Sequence, residues 1–365
     1  MIAGFPESLM AWTSENFPGM RFAYWGQSAA AMLHDALCEE QRNNVILPAF
    51  ICPSITAAAV QAGKHVIHVD ADRTTLHIDP QKLEQVLRGM LNEDTVLLID
   101  HSFGYPFSQI DKLRQDHPGL LIVEDCVRAL GGATPGGLIG QSGDWVLVSL
   151  YKTVGGNDHG GILLTGSPFT IRSGPVRSTT LRQFTATFGP ARMVYERLKR
   201  RSCECSPSRR DLESPRWKPA SGIPNQLCLK RFLATTTKDR KSFQKRQEAT
   251  RDIRSALQRT KGLSFIKSAE GSLNAEHFLS FTVDDDVSRD RLISDLHRLG
   301  LFLLRTWDCI PAFFRTLTST FPTGFSESVF LAEHVVHIPI NSFLSLRQRR
   351  RLIEGIQKWF LSNVG

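Results

Sequence analysis

Apolar runs of four to six residues recur through the first 165 positions: VILPAF at 45–50, HVIHV at 65–69, VLLI at 96–99, LLIV at 120–123, WVLV at 145–148 and GILL at 161–164. Each is bounded by turn residues, and runs of this length read as buried strands of a parallel sheet. Between them, helical patterns span 54–61 and 80–90, and another starts at Ile110. An Ala-rich helical stretch after Ser28 precedes the first run. Strand alternating with helix predicts an α/β fold with a mostly parallel central sheet flanked by helices. In such sheets ligands bind at the carboxyl ends of the strands.

The pattern changes after about residue 167. The segment 192–210 is strongly basic and reads as a solvated helix end and loop. A long helical pattern then runs to about Gln258, with Leu227, Phe232, Phe243 and Ile253 as inward positions. Beyond it, strands at 278–283 and 334–340 and helices at 290–299 and 346–361 describe a smaller α+β unit. The expected division is a large domain over 1–225, with a linking helix and small C-terminal domain over 226–365. No internal repeat is visible.

Composition narrows the partners. A chain of 365 residues, 41% hydrophobic and 22% charged, suits a globular protein of about two domains. The net charge of +8 favours anionic ligands such as phosphates, nucleotides and dicarboxylates. No nucleic-acid-binding motif accompanies it. The seven cysteines are scattered, with no CxxC pair to suggest zinc. Reduced, structural cysteines suit the cytoplasm. The N-terminus has no secretory character, and no apolar run reaches the length of a membrane span.

Two strand ends carry chemistry. LLIV runs into Glu124 and Asp125, and WVLV runs into Ser149 and Lys152. A lysine and a carboxylate at neighbouring strand ends suit pyridoxal 5'-phosphate (PLP). A primary amine holds that cofactor as a Schiff base, and a carboxylate keeps its ring nitrogen protonated. Taken singly, Asp125 and Lys152 read equally as a strand-end acid and a surface lysine. Gly26-Gln27-Ser28 opens a helix, which is a natural phosphate site or a plain N-cap by Ser28. Ser149-Leu150-Tyr151-Lys152 also fits the S-x-x-K pattern of serine acyl-transfer enzymes. There, however, the serine opens a helix and partner motifs follow, and neither is evident here.

In order, these segments resemble the fold-type I PLP-dependent sugar aminotransferases of the DegT/DnrJ/EryC1/StrS family. The motifs carrying the resemblance are the Gly-x-Ser/Thr-Ala-Ala helix start (GQSAA), the "vDid…id…le" segment (HVDADRTTLHIDPQKLE) and the "vHxxGxP" turn (IDHSFGYP). The longest is the block VEDCVRALGGATPGGLIGQSGDWVLVSLYKTVGGNDHGG. The resemblance spans nearly the whole chain and is strongest before residue 165. It implies Gln27, Ser28 and Ser149 at the cofactor phosphate, Asp125 at the ring nitrogen and Lys152 as the Schiff-base lysine. Arg128 would lie near the phenolic oxygen, where the family usually has Gln or His. Asn225 would reach a neighbouring subunit's cofactor phosphate, which implies a homodimer with shared sites. Phe50 or Cys52 occupies the slot of the ring-stacking aromatic, and His101 is either a cofactor neighbour or a turn-stabilising histidine. Only Leu150 and Tyr151 separate Ser149 from Lys152, where many members have four residues.

The implied activity is transfer of an amino group from glutamate or glutamine to a keto sugar, linked to a nucleotide, in amino-sugar biosynthesis. The alternatives are other PLP chemistry, such as sugar dehydration, or a non-catalytic PLP-binding relative. Sugar dehydratases of the family usually carry histidine in place of the lysine, and Lys152 counts against them.

Overall fold

Burial of the apolar runs on both faces draws them into one eight-stranded sheet. A computed structural model describes residues 7–152, 159–169, 226–236, 240–285, 287–307, 319–320, 324–340 and 344–364. In chain order the first part is α1 (Glu7–Asn16), β1 (Phe22–Gly26), α2 (Ala29–Glu39), β2 (Asn44–Pro48), α3 (Pro53–Gln61), β3 (His65–Val69) and α4 (Pro80–Leu87). It continues through β4 (Thr95–Asp100), α5 (Ile110–Asp116), β5 (Leu121–Asp125), the small hairpin β6 (Ala133–Thr134) and β7 (Gly137–Leu138), β8 (Trp145–Ser149) and β9 (Gly161–Thr165). The second part is α6 (Gln226–Thr236), α7 (Arg240–Leu257), β10 (Leu263–Phe265), β11 (Phe278–Val283), α8 (Arg289–Arg298), β12 (Ser319–Thr320), α9 (Ser326–His334), β13 (Val335–Pro339) and α10 (Leu346–Asn363).

The strand order is β1-β9-β8-β5-β4-β2-β3-β12. All neighbours from β8 to β12 pair in parallel, while β9 runs against both β8 and β1. The sheet is therefore mostly parallel, as expected, with β9 reversed. The link from Ser149 to Gly161 is shorter than a helical crossover needs, which leaves the antiparallel return. β1 is a strand that the apolar pattern did not mark, because its partner β9 lies far along the chain. The 45–50 run stops at Pro48, and Pro53 at the first turn of α3 starts the next helix.

One core lies between the sheet and helices α2 and α3, and includes Leu33, Leu37, Leu47, Ile55, Leu98, Val123 and Leu147. The opposite face is covered by α1 and α6 at one end and by α4 and α5 at the other. The expected long helix is two helices, with residues 237–239 outside the described set. The Thr235 and Thr236 hydroxyls bond back to Arg231 O and Phe232 O, a pattern that weakens a helix near its end. Phe232 is buried edge-on against Trp12, so α6 lies on the large sheet. Ile253 is buried in a second core built by α7, α8, α10 and the three-stranded sheet β10-β11-β13. Phe243 is half-buried, and the Leu227 side chain is outside the described set.

The two cores meet through a third apolar cluster, in which Phe50, Phe103 and Tyr105 pack with Ile266, Trp307 and Leu331. Asp70, at the end of β3, is fully buried at this junction. Its Oδ1 accepts from the Ala71 N–H, the Ser328 N–H and the Ser328 hydroxyl, and its Oδ2 accepts from Lys82 Nζ at 2.7 Å. The carboxylate thus serves the first turn of α9, whose N–H groups have no intrahelical partner. Burial alone would raise this carboxyl, but the hydrogen bonds from Lys82 and Ser328 bring it below its ordinary value. The described cysteines, Cys38, Cys52, Cys126 and Cys228, are free thiols. Among the described residues no helix is long and apolar enough to cross a membrane.

Asp70→Asn is expected to destabilise the protein by about 3 kcal/mol at neutral pH, read from urea unfolding. A depressed folded pKa gives stability that is present above the unfolded value of about 4 and is lost as pH falls through the lower folded one. The gap between wild type and variant should therefore close in acid. A gap that persists undiminished there would assign the loss to packing instead.

Candidate active site

Parallel strands that end together bring their last residues to one edge. Asp100 ends β4 opposite Asp125 at the end of β5, in direct register. Asp125 in turn pairs with Leu147, two residues before Ser149, and Ser149 pairs with Gly161, which pairs with Gly26. Residues paired across neighbouring strands, and residues two apart along one, project to the same face. Asp100, Asp125 and Ser149 therefore share the face covered by α2, and the helix start at Gln27–Ser28 stands at the same edge.

The α2 start is tightly built. Ser28 caps it, its hydroxyl accepting from Ala31 N–H at 3.1 Å, so the N-cap reading holds. β9 passes directly against it. A Cβ on Gly161 would lie 2.1 Å from Ala29 N, and Gly160 N–H donates to Gln27 O at 2.8 Å. The Gln27 Nε2 amide is buried with no hydrogen-bond partner among the described residues. An unspent buried amide beside a helix N-terminus suits an anionic group.

Asp125 is 5% exposed, and its Oδ1 accepts from Val127 N–H at 2.9 Å. Burial raises this carboxyl above its ordinary value, opposed by the Val127 bond and by the positive charges of Lys152 and Arg128. Lys152 is half-buried. Ser149 is buried at the strand end, with its hydroxyl accepting from the N–H groups of Tyr151 at 3.3 Å and Lys152 at 3.2 Å. It thus folds the short turn that presents the lysine. A serine buried at the end of a strand lacks the helix start that acyl transfer requires.

Arg128 reaches toward the domain junction. Its guanidinium lies 4.7 Å from the Phe103 ring centre and 5.3 Å from that of Phe278. Phe103 has φ of 56°, rare for an aromatic residue, and stacks on His337 at 3.8 Å. The His337 ring nitrogens bond to Ser280 and Thr306 hydroxyls.

Other expected residues sit elsewhere. His101 is buried below the opposite face, with Nε2 on Glu124 Oε2 at 2.8 Å and Nδ1 accepting from Phe107 N–H at 3.1 Å. These bonds tie His101 to Glu124 and to the turn that follows it. Phe50 is fully buried edge-on to Trp307 at 4.8 Å, whereas Cys52 is half-buried at the start of α3, 3.0 Å from Ser54 Oγ. Asn225 and the turn 153–158 lie outside the described residues.

Asp100 was missed as a site residue. Its carboxyl is pushed up to about 7, first by burial and then by the Asp125 charge. The signal was present in the vHxxGxP turn, where the position before His101 holds an acid in place of the aliphatic residue. His101, Glu124 and Cys126 also cluster with possible metal-ligating atoms within 4.8 Å. The Glu124 oxygens, however, already accept from His101 and from the Gly140, Ser142 and Gly143 N–H groups. Burial keeps the Cys126 thiol well above its usual pKa.

The residues present fit PLP: a buried carboxylate, a lysine whose charge acts on it, and an orphaned amide at a helix start. The fold is α/β with a mostly parallel central sheet. Residues 17–172 match the DegT/DnrJ/EryC1/StrS aminotransferase family. GDP-perosamine synthase from Vibrio cholerae is 27% identical over 150 residues, 40% of this chain and 40% of that protein. The dTDP-4-dehydro-2,6-dideoxy-D-glucose 3-dehydratase of Saccharopolyspora spinosa is 30% identical over 131 residues, 34% of this chain and 27% of that protein. These curated relatives are thus matched over less than half of their length. A DegT DnrJ EryC1 StrS aminotransferase from Brucella abortus superposes with a TM-score of 0.71 at 16% identity, over 97% of this chain and 90% of that one, a likeness of fold.

Gly161→Ala should destabilise the protein by roughly 2–4 kcal/mol in chemical unfolding, since the added carbon meets helix backbone. Gly19→Ala, with nothing within 4 Å of the added carbon, is the control and should stay within about 0.5 kcal/mol. Equal effects of the two would remove the close strand–helix contact as the cause.

Proposed function

We propose that this protein is a PLP-dependent aminotransferase that converts a keto sugar, carried on a nucleotide, to an amino sugar with glutamate or glutamine as donor. The observation that carries this reading is that Asp125 ends its strand beside the strand leading to Lys152, whose charge acts on it, near the Gln27–Ser28 helix start. When bound, PLP supplies the electron sink that lets a carbon–hydrogen bond beside nitrogen ionise.

The chain's own residues do the rest. Lys152 would hold the cofactor through its primary amine, the group suited to move a proton at the substrate carbon as base and acid. Asp125, in a low-dielectric setting, would face the ring nitrogen and keep its proton in place. The Gln27 amide and the first-turn N–H groups of α2 would hold the phosphate, with Ser149 shaping the turn beside them. Arg128 brings a cation to the phenolic side, where Phe103 and Phe278 fix its plane. The net charge of +8 suits a diphosphate-linked sugar. A homodimer, with Asn225 crossing to the partner's phosphate, belongs to the same proposal.

Sugar dehydration is the second reading, motivated by the similarity to the Saccharopolyspora spinosa 3-dehydratase. Lys152 favours transamination, because its primary amine can hold the cofactor as a Schiff base, which the histidine usual in the family's dehydratases cannot.

The deciding experiment is the absorbance spectrum of the protein with PLP, before and after excess glutamate or glutamine, with Lys152→Ala alongside. A visible band that bleaches with the donor in wild type and is missing from Lys152→Ala is expected. No visible band in wild type would sink the lysine assignment, and a band indifferent to both donors would sink the transamination. Gln27→Ala should weaken PLP binding about tenfold in a fluorescence titration and change the stability of the cofactor-free protein by less than about 1 kcal/mol, since that amide has no partner to lose. A large stability loss with unchanged PLP affinity would place Gln27 in the scaffold alone.

A further inference from the structure

The site holds a second carboxyl that none of the roles above uses. Asp100 and Asp125 stand in register at the ends of adjacent parallel strands. Their side chains leave the same face, on backbones about 5 Å apart. Each has little else to bind. Asp100 Oδ2 accepts from the Ser102 hydroxyl at 2.8 Å, and Asp125 Oδ1 accepts from the Val127 N–H. Neither has an ion-pair partner within 4 Å among the described residues.

The charged groups around them come from every adjoining element. Lys152 approaches from the turn after β8 and Arg128 from the turn after β5. His101 acts on both from the turn after β4, but its ring is bound to Glu124 on the other face. Cys126, next along β5, is held as a neutral thiol. Arg128 bears on both carboxyls and Lys152 on Asp125, while the Asp125 charge bears on Asp100. Two carboxylates so placed in a partly dry site cannot both ionise freely, and one retains a proton.

We propose that Asp100 and Asp125 work as a pair holding one shared proton near neutral pH, with Asp100 as a positioning residue that donates to Asp125 and fixes the pair at a single negative charge. Only the use of the pair rests on the aminotransferase reading. There, Asp125 would meet the ring nitrogen with a charge set by the proton on Asp100, and the site would change character as that proton leaves.

The pair is tested in the full chain with carbon-13 at the aspartate carboxyls, followed by NMR across about pH 4 to 9 before and after PLP is added. In the cofactor-free wild type, one aspartate signal should titrate near 7. It should vanish in Asp100→Asn and move down by about one unit or more in Asp125→Asn. A wild type in which every aspartate titrates below about 5 overturns the pair. So does an Asp100 signal that stays put in Asp125→Asn, since burial alone would then explain it.

Stability gives a second readout that does not involve the cofactor. A carboxyl whose folded pKa is raised loses stability for the protein as pH rises from the unfolded value through the folded one. Wild type should therefore lose thermal stability between about pH 5 and 8 relative to Asp100→Asn, and parallel profiles would count against the proposal. With PLP bound, the visible band should respond to pH over the same interval in wild type and not in Asp100→Asn. Bands alike in both proteins overturn the positioning role. A protein that takes up no PLP speaks against the function proposed above, and the carboxyl titration still decides the pair.

Discussion

The hydrogen-bonded register of β5 is the constraint on which the site depends. Glu124 and Asp125 are adjacent, so they leave opposite faces of the sheet, and a slip of one residue would exchange them. Glu124 is tied below the sheet to His101 and to three backbone N–H groups of the Gly-rich turn at 140–143. Burial opposes its charge, but the His101 contact and the Gly140 and Gly143 bonds keep its carboxyl below the ordinary value. That satisfied, buried anion locks the strand, and by locking it aims Asp125 into the face beneath α2. His101 thus serves the site from the far side of the sheet.

The same edge is shaped by close approach. β9 can lie against the start of α2 only because position 161 has no side chain. The contact sets Gln27 and Ser28 at a fixed height relative to Ser149, which pairs with Gly161. Across the junction, Tyr105 Oη accepts from Ser280 N–H at 2.9 Å, and Asp70 holds the start of α9. Phe103 completes this joint between His337 and the Arg128 guanidinium. The second core therefore bears on the cation at the site through an aromatic stack. The left-handed backbone at Phe103 is held by contacts on both sides of its ring.

Much of this was legible in the chain. The runs HVIHV, VLLI, LLIV and WVLV are strands because a parallel sheet buries both faces, which removes polar residues from the run and leaves them at its end. For the same reason, Asp125, Ser149 and Lys152 stood out as edge residues. β1 did not stand out, and neither did the reversal of β9. The first is set by a pairing between residues about 140 positions apart in sequence, the second by the short link back to β8. The burial of Phe50 was also closed to sequence, since Trp307, which packs edge-on against it, lies more than 250 residues further along the chain.

By itself the sequence determined the alternation of strand and helix, the polar residue that ends each strand and the chemistry those residues can support. These follow from local burial periodicity and from residue type. Only the tertiary structure decided that His101 belongs to Glu124, that Gln27 is left with an unspent amide, and that Asp100 stands beside Asp125. Those outcomes depend on strand order, register and the face each side chain leaves, which long-range hydrogen bonding fixes and no local pattern encodes.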